Sequence, residues 1–95
     1  ITGNDIGILD NCGNADLGGG SAGGAGGNVF SCNDNDVIAQ TTATAALMAT
    51  NNRWDHVPPT LATSFPPTPA GLDVVATNAR TVVTNGATLA PTPCP

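Results

Sequence analysis

Residues 80–90 read Arg-Thr-Val-Val-Thr-Asn-Gly-Ala-Thr-Leu-Ala, with an Asn-Gly pair between two short strand-like runs. β-Branched residues such as those of the first run favour strands. An Asn-Gly pair at this position is a strong sign of a β-hairpin, because the central residues of its two-residue turn take positive φ angles. We therefore predict a hairpin with Asn85 and Gly86 at its turn, in a region that spans 71–95.

Three further runs extend the β pattern along the chain. They are Asp73-Val74-Val75-Ala76-Thr77, Asn28-Val29-Phe30-Ser31-Cys32 and the apolar Ile6, Ile8 and Leu9 near the start. Turn-forming Asn, Asp and Gly flank them, as expected for short strands. With 95 residues the chain has the length of one small domain. We expect a mainly β, small single domain with one short helix, a Gly-rich loop and a Pro-rich extended arm.

The helix is predicted over residues 37–50, the longest stretch without Gly or Pro. Its Ala, Leu and Met content favours a helix, whereas its Val-Ile start and its threonines favour a strand. Asp34 or Asp36 would cap the helix and Asn51-Asn52 would end it. We expect the helix and leave the strand as the alternative.

Residues 18–27, Gly-Gly-Gly-Ser-Ala-Gly-Gly-Ala-Gly-Gly, form a low-complexity tract. A flexible loop is the favoured interpretation, with close backbone packing between copies as an alternative. A phosphate-binding loop is excluded, because it requires a lysine and the chain has none. The tract lies inside a Gly-, Asn- and Asp-rich region, residues 1–56, that we expect a disulfide to stabilise.

Residues 57–70 contain five prolines among Thr and Ser, a composition typical of extended arms and of O-glycosylated stalks. Proline donates no backbone hydrogen bond, so this arm is not expected to form an interior strand. Leu61 and Phe65 are large apolar residues that an idle linker would not need. We predict that they contact a neighbouring subunit, with packing on the arm's own domain as the alternative.

The three cysteines, Cys12, Cys32 and Cys94, are an odd number. In an oxidising compartment this count predicts one disulfide and one thiol that is free or bonded to another chain. Three intrachain pairings are open. The similar surroundings of Cys12 and Cys32, on either side of the glycine tract, favour that pair and leave Cys94 as the free or intermolecular thiol.

Charged residues make up only 9% of the chain, which carries seven Asp, two Arg and a formal net charge of −5. Nucleic-acid binding needs clustered Lys and Arg, so this partner class is excluded. No apolar run is long enough to span a bilayer as a helix. A surface this poor in charge predicts that other copies or glycans cover it. The start at Ile1 suggests that a targeting segment has been removed.

No catalytic constellation is found, and no cofactor is expected. His56 is the single histidine, and we interpret it as a surface or partly packed residue beside Asp55. Scattered cysteines do not have the paired spacing of zinc sites. Asp34 and Asp36 are weak calcium candidates, because calcium accepts carboxylate oxygens. They lack the EF-hand pattern, so we interpret them as solvated turns or caps and predict no metal site.

These observations predict a structural protein and not an enzyme. The leading hypothesis is a subunit of a secreted, self-assembling extracellular filament or surface coat, whose partners are copies of itself. A small secreted, disulfide-stabilised binding module or effector is the alternative. A virion structural protein shares most of these features and stays open.

Overall fold

A computed structural model describes residues 1–11, 15–20, 22–40, 46–63, 71–77 and 80–95. Its regular elements are eight short β-strands. They are β1 (Ile6–Asp10), β2 (Asn35–Ala39), β3 (Leu47–Met48), β4 (Arg53–Trp54), β5 (Leu61–Ala62), β6 (Leu72–Ala76), β7 (Val82–Val83) and β8 (Thr88–Leu89). Within these ranges there is no helix long and apolar enough to cross a membrane.

Every strand pair among these elements is parallel. One sheet has the order β1-β2-β6-β5, a second pairs β3 with β7, and a third pairs β4 with β8. Single bridges extend the second and third sheets by one layer, from Asp16 to Met48 and from Val29 to Arg53. Each successive turn of the chain thus contributes one strand or bridge to each of the three sheets.

The chain therefore winds as a three-faced parallel β-helix. The first coil contains β1, Asp16 and Val29; the second contains β2, β3 and β4; the third contains β6, β7 and β8. Parallel strands need long connections, and here each connection is the rest of a coil. The mainly β, single-domain prediction is confirmed. The radius of gyration of 11.9 Å is that of a compact chain of this length.

β5 departs from this winding. It comes before β6 in the chain but lies beyond β6, at the edge of the four-stranded sheet. The Pro-rich arm is thus tied to its own domain over β5, where Leu61 pairs with Val74. An edge strand tolerates prolines nearby, because one side of its backbone has no ladder to complete. Leu61 itself is 60% exposed, and Phe65 lies outside the described residues.

The core consists of columns of side chains stacked from coil to coil. One column runs from Ile8 through Val37 and Val74 to Leu61, which are paired in register. On another face the rings of Phe30 and Trp54 have their centroids 4.9 Å apart. Both rings are fully buried, so this contact joins the first two coils through a large apolar area.

Asparagines stabilise the corners between faces. Asn52 is fully buried, and its Oδ1 accepts hydrogen bonds from the backbone N and the Nδ2 of Asn28, both at 3.0 Å. Its Nδ2 donates to the Leu17 carbonyl at 2.8 Å. A tight corner leaves backbone groups without ladder partners, and short amide side chains satisfy them. This accounts for part of the high Asn content.

The predicted helix over 37–50 is wrong. Residues up to Ala39 belong to β2, and Leu47–Met48 form β3; residues 41–45 lie outside the described ranges. All five residues of β2 are buried. A parallel strand covered on both faces reads as a continuous apolar run, which periodicity alone does not distinguish from a buried helix.

The predicted hairpin is also wrong, although a turn does form at Asn85 and Gly86. The flanking strands β7 and β8 belong to different sheets, where they pair with β3 and β4. Gly86 has φ +72°, whereas Asn85 is not among the residues with positive φ, so the turn is not of the primed type. The Asn-Gly pair makes a corner of the β-helix.

The glycine tract wraps around one carboxylate. Asp16 accepts hydrogen bonds from the backbone N atoms of Gly18 (3.0 Å), Gly20 (2.9 Å) and Gly24 (2.8 Å). A Cβ atom at Gly20 or Gly24 would lie 2.6 Å from an Asp16 carboxyl atom. Close backbone packing, which we considered between copies, thus occurs within the chain.

Candidate functional site

Three aspartates converge where the chain enters the four-stranded sheet. Asp36 lies on β2 and Asp73 on β6, at facing positions, because the residues on either side of them are paired in register. Asp55 comes directly after β4. One carboxylate oxygen from each of the three lies within 4.8 Å of those of the other two. We call Asp36, Asp55 and Asp73 the carboxylate cluster.

The carboxylate cluster is shielded from solvent. The exposed fraction is 1% for Asp36, 1% for Asp73 and 7% for Asp55. Like charges directly opposite each other on neighbouring strands are destabilising. Burial makes each unpaired charge more costly still. The negative charge of the carboxylate cluster therefore has to be reduced, either by protonation or by a positively charged partner.

Asp55 is held by the segments that carry the disulfide. Its Oδ1 accepts hydrogen bonds from Ser31 Oγ at 2.8 Å and from the Cys94 backbone N at 2.8 Å. Its Oδ2 accepts one from the Cys32 backbone N at 2.9 Å. Three donors fix this carboxylate, and charge-assisted bonds of this kind are stronger than neutral ones. Asp55 is thus both a member of the cluster and an anchor for both cysteines.

Asp73 is held by the segment that leads to β5. Its Oδ2 lies 3.1 Å from His56 Nδ1 and accepts a hydrogen bond from the Thr60 backbone N at 3.0 Å. The Asp73 backbone N in turn donates to Thr60 Oγ1 at 2.8 Å. We expected His56 beside Asp55, and the structure places its Nδ1 against Asp73 instead. The histidine is partly buried, with 32% of its side chain exposed.

Asp36 is the least satisfied member. Its Oδ1 accepts a hydrogen bond from Asn33 Nδ2 at 2.7 Å, while its Oδ2 is buried and has no donor. Burial raises the pKa of Asp36 to about 7; the Asn33 bond acts against this rise, and the neighbouring carboxylates of Asp73 and Asp55 add to it.

The predicted disulfide between Cys12 and Cys32 is wrong, since Cys32 is bonded to Cys94. Cys94 is therefore not the free or intermolecular thiol, and Cys12 lies outside the described residues. Similar local sequence favoured the wrong pair. The coiling brings residue 94 back over the start of β2, with the two Cα atoms 5.2 Å apart. Sequence distance does not predict such a return, because it depends on how many coils intervene.

Of the two weak calcium candidates, only Asp36 belongs to the cluster. Asp34 is exposed, as expected for a turn residue. Sequence reasoning missed Asp73 and Asp55 as partners of Asp36. A signal was present: Asp36-Val37-Ile38-Ala39 and Asp73-Val74-Val75-Ala76 are near repeats. Such self-similarity indicates stacked coils, and it would have placed the two aspartates side by side.

Comparison with known proteins gives one match. The profile of a family described as "Protein of unknown function (DUF1565)" matches residues 1–61. No curated protein matches the chain, and no solved structure does. The matched residues contain the first two coils, the first residue of β5 and two members of the carboxylate cluster, Asp36 and Asp55. Because the match covers more than half of its residues, the chain belongs to the DUF1565 family.

Proposed function

We propose that this chain is a structural subunit of a secreted filament or surface coat, in which β-helix coils of successive copies stack end to end. The partner of each subunit is a second copy of the chain. This assembly is supported by the way in which the core columns end, by the open strand edges and by the low charge of the surface.

The carrying observation is that two core columns end in exposed leucines. Leu61 stacks on Val74 and is 60% exposed, and Leu89 stacks on Trp54 and is 55% exposed. Val74 and Trp54, with which they are paired, are almost completely buried. A strand added beyond β5 would cover Leu61, and a strand added beyond β8 would cover Leu89. Large apolar residues exposed together at one end are typical of an interaction surface.

The opposite end has matching features. β1 has one partner strand, β2, in the described part of the chain, so its other backbone edge is open. Ile6 and Leu9 on this strand are 40% and 51% exposed. An open edge is a template for another strand. Parallel stacking of the β5 end of one copy on the β1 end of the next would repeat the pairing that joins the coils within one copy.

The two ends differ from each other, so such a contact is head to tail. Head-to-tail contacts that do not close into a ring generate open fibres. Charged side chains, above all Lys, are a common protection of strand edges against such pairing. This chain has no Lys and only two Arg. Lysine therefore protects neither strand edge against a second copy.

The disulfide supports a secreted location. The bond between Cys32 and Cys94 joins the second coil to the segment after β8. Disulfides form and persist in oxidising compartments and are rare in the cytosol. A filament or coat outside the cell is the setting in which both the bond and the weakly charged surface are suitable.

The test is to measure the assembly state of the native chain and of Leu61→Lys/Leu89→Lys. Light scattering after size-exclusion chromatography, over a range of concentrations, and negative-stain microscopy should show higher-order species for the native chain. The double variant should remain monomeric, because association would bury two unpaired lysine charges at the contact. Its far-ultraviolet circular dichroism spectrum should be unchanged.

Val57→Lys is the matched control. Val57 is 51% exposed and lies outside the core columns. The substitution adds a lysine charge away from the proposed contact, so this variant should assemble like the native chain. A native chain that is monomeric at every concentration contradicts the proposal and favours a monomeric binding module. Assembly by the double variant would show that the end leucines are not the contact.

A further inference from the structure

We propose that the carboxylate cluster of Asp36, Asp55 and Asp73 binds one hard divalent cation, with calcium as the best match. The site would hold together the second coil, the third coil and the disulfide-bonded segments. Three features of the cluster support this site: its negative charge, one buried oxygen without a donor, and the spacing of the ligand atoms.

The charge of the cluster is not balanced by nearby basic side chains. The chain has no lysine. Arg80 pairs with Asp10, its Nη2 lying 3.4 Å from Asp10 Oδ2, and Arg53 is exposed on β4. Within the part of the chain that the structure describes, His56 pairs with Asp73 and with neither of the other two carboxylates, and a protonated His56 would offset one negative charge of three. Buried charges are paired or coordinate metals.

The second observation is the Oδ2 atom of Asp36. This oxygen is buried in a side chain that is 1% exposed, and no donor reaches it from the residues that the structure describes. Asp73 and Asp55 have donors to their oxygens, whereas Asp36 has only the Asn33 amide on Oδ1. A buried acceptor without a partner is destabilising, and more so when it is charged. A bound cation removes that cost.

The spacing fits ligands that share one ion. Calcium binds oxygens at about 2.3–2.6 Å, so two ligands on opposite sides of the ion lie about 5 Å apart. The three cluster oxygens lie within 4.8 Å of one another. Magnesium binds at about 2.0–2.1 Å and demands a near-ideal octahedron, which three ligands from separate strands meet less readily. Carboxylates supply hard oxygen ligands, which suit these ions better than zinc or copper.

The positions of the ligands give the ion a defined role. Asp36 and Asp73 belong to adjacent strands of successive coils, and Asp55 holds the backbone of Cys32 and Cys94. One ion coordinated by both Asp36 and Asp73 would thus replace the repulsion between their carboxylates and link the two coils. It would also stiffen the link to β5 through Thr60, which is bonded to Asp73. Binding to the folded chain alone stabilises it by mass action.

The test is isothermal titration of the chelator-stripped full chain with calcium chloride at neutral pH, alongside melting temperatures with and without the ion. We expect saturation at one ion per chain, a Kd below about 1 mM, which is the weak end of known calcium sites, and a raised melting temperature. Magnesium chloride, used in the same way, should bind more weakly and raise the melting temperature less.

Asp36→Asn and Asp73→Asn should weaken calcium binding by at least about tenfold, because each removes a charged ligand with little change of shape. Asp34→Asn is the matched control: its side chain is exposed and outside the cluster, so calcium affinity should not change. Circular dichroism checks that each variant is folded.

Three results would overturn the proposal: no saturable calcium binding by the native chain, native-like affinity in a folded Asp36→Asn or Asp73→Asn variant, or equal weakening by Asp34→Asn. The first result stands even if both cluster variants fail to fold. These measurements do not depend on whether the chain assembles, because the Leu61→Lys/Leu89→Lys variant retains the cluster and can be titrated as a monomer.

Discussion

Asp36 and Asp73 face each other on adjacent parallel strands, both with 1% of their surface exposed. The pairing follows from the β-helix, because a residue that recurs at the same place in each coil meets its equivalent in the next. In a solvent-exposed sheet, water would screen the repulsion between two such carboxylates. Here the neutral form of one carboxyl group must be favoured when no cation is present.

The first prediction is therefore a loss of stability with rising pH when a chelator is present. The pKa of Asp36 is 3.8 in its ordinary environment and about 7 in the folded chain, so the native state holds a proton that the unfolded state releases between these values. The free energy of unfolding should fall as pH rises from about 4 to about 7, by up to about 4 kcal/mol, and then level off. Urea denaturation with a chelator at a series of pH values measures this.

Asp36→Asn is the control for this pH dependence. Asn resembles the protonated carboxyl group in shape and does not titrate, so the variant should lack the part of the slope that Asp36 causes. Asp73, Asp55 and His56 remain in place in this variant. Equal pH slopes for the variant and the native chain would contradict the raised pKa of Asp36.

The second prediction concerns the corner at Gly86. Gly86 has φ +72°, and an added Cβ would collide with the side chain of Asn51. A residue with a Cβ in this region costs about 1–2 kcal/mol from its backbone alone. The end of the Asn51 side chain must also shift, which adds to this cost, so Gly86→Ala should lower the free energy of unfolding by at least about 1–2 kcal/mol.

Gly23→Ala separates the two causes. Gly23 has φ +85°, and an added Cβ would meet nothing within 4 Å. This variant should show the backbone cost alone and be the milder of the two in denaturant titrations. If both variants lose the same stability, close packing against Asn51 is not what requires glycine at the corner.

The β class and the single small domain could be predicted from the sequence, because runs such as residues 73–77 are β-branched and bounded by turn residues. The coiling could not be predicted from local patterns. Asn85-Gly86 favours a turn in a hairpin and in a β-helix corner alike, since both need positive φ at Gly86. Only the partner of each strand distinguishes them, and these partners lie one coil away in sequence.

The site was less predictable than the fold. Asp36 drew attention as one of several aspartates, but its meeting with Asp73 and Asp55 depends on the register of β2 with β6 and on the path after β4. The near repeat of Asp-Val-Ile-Ala in Asp-Val-Val-Ala was the available signal for the first of these contacts. For Asp55 no comparable repeat exists, since it is positioned by bonds to the cysteine segments.

The third prediction concerns the buried ion pair between Arg80 and Asp10, whose side chains are 0% and 3% exposed. The pair joins the first coil to the segment before β7. Removing one partner of a buried pair leaves the other charge uncompensated and costs about 3–5 kcal/mol. Arg80→Met should be destabilised by this amount in urea titrations. Arg53→Met, at an exposed position, should change stability by less than about 0.5 kcal/mol.

The double variant Asp10→Asn/Arg80→Met tests the origin of that loss. With both charges removed, no buried charge is left without its counterpart, so the double variant should be more stable than Arg80→Met alone. A double variant that is the less stable of the two would mean that Asp10 is held mainly by other groups.

The fourth prediction is chemical. Two of the three cysteines, Cys32 and Cys94, form a disulfide. Alkylation of the unreduced chain in denaturant should therefore label Cys12 alone, or no cysteine if Cys12 is bonded to another chain. Peptide mapping identifies the labelled residue. Cys94→Ser should lower the free energy of unfolding by about 4 kcal/mol, because the bond closes a loop with a sequence separation of 62. Labelling of Cys32 or Cys94 in unreduced protein would contradict the pairing.

The fifth prediction concerns Asp16 and the glycine tract. Hydrogen bonds from the backbone N atoms of Gly24, Gly20 and Gly18 lower the pKa of Asp16 below its usual 3.8. A carboxyl group with a lowered pKa in the folded state stabilises the fold above its ordinary pKa, and this contribution is lost as the pH falls through the lowered value.

Asp16→Asn keeps the shape but loses the charge, so it should reproduce the acid effect at neutral pH. We expect a lower melting temperature and faster amide exchange at these three glycines, with Asp5→Asn, an exposed aspartate on the first coil, as the unaffected control. Unchanged exchange in Asp16→Asn would mean that packing of Gly18 and Gly26 against Thr50 holds the tract without the carboxylate.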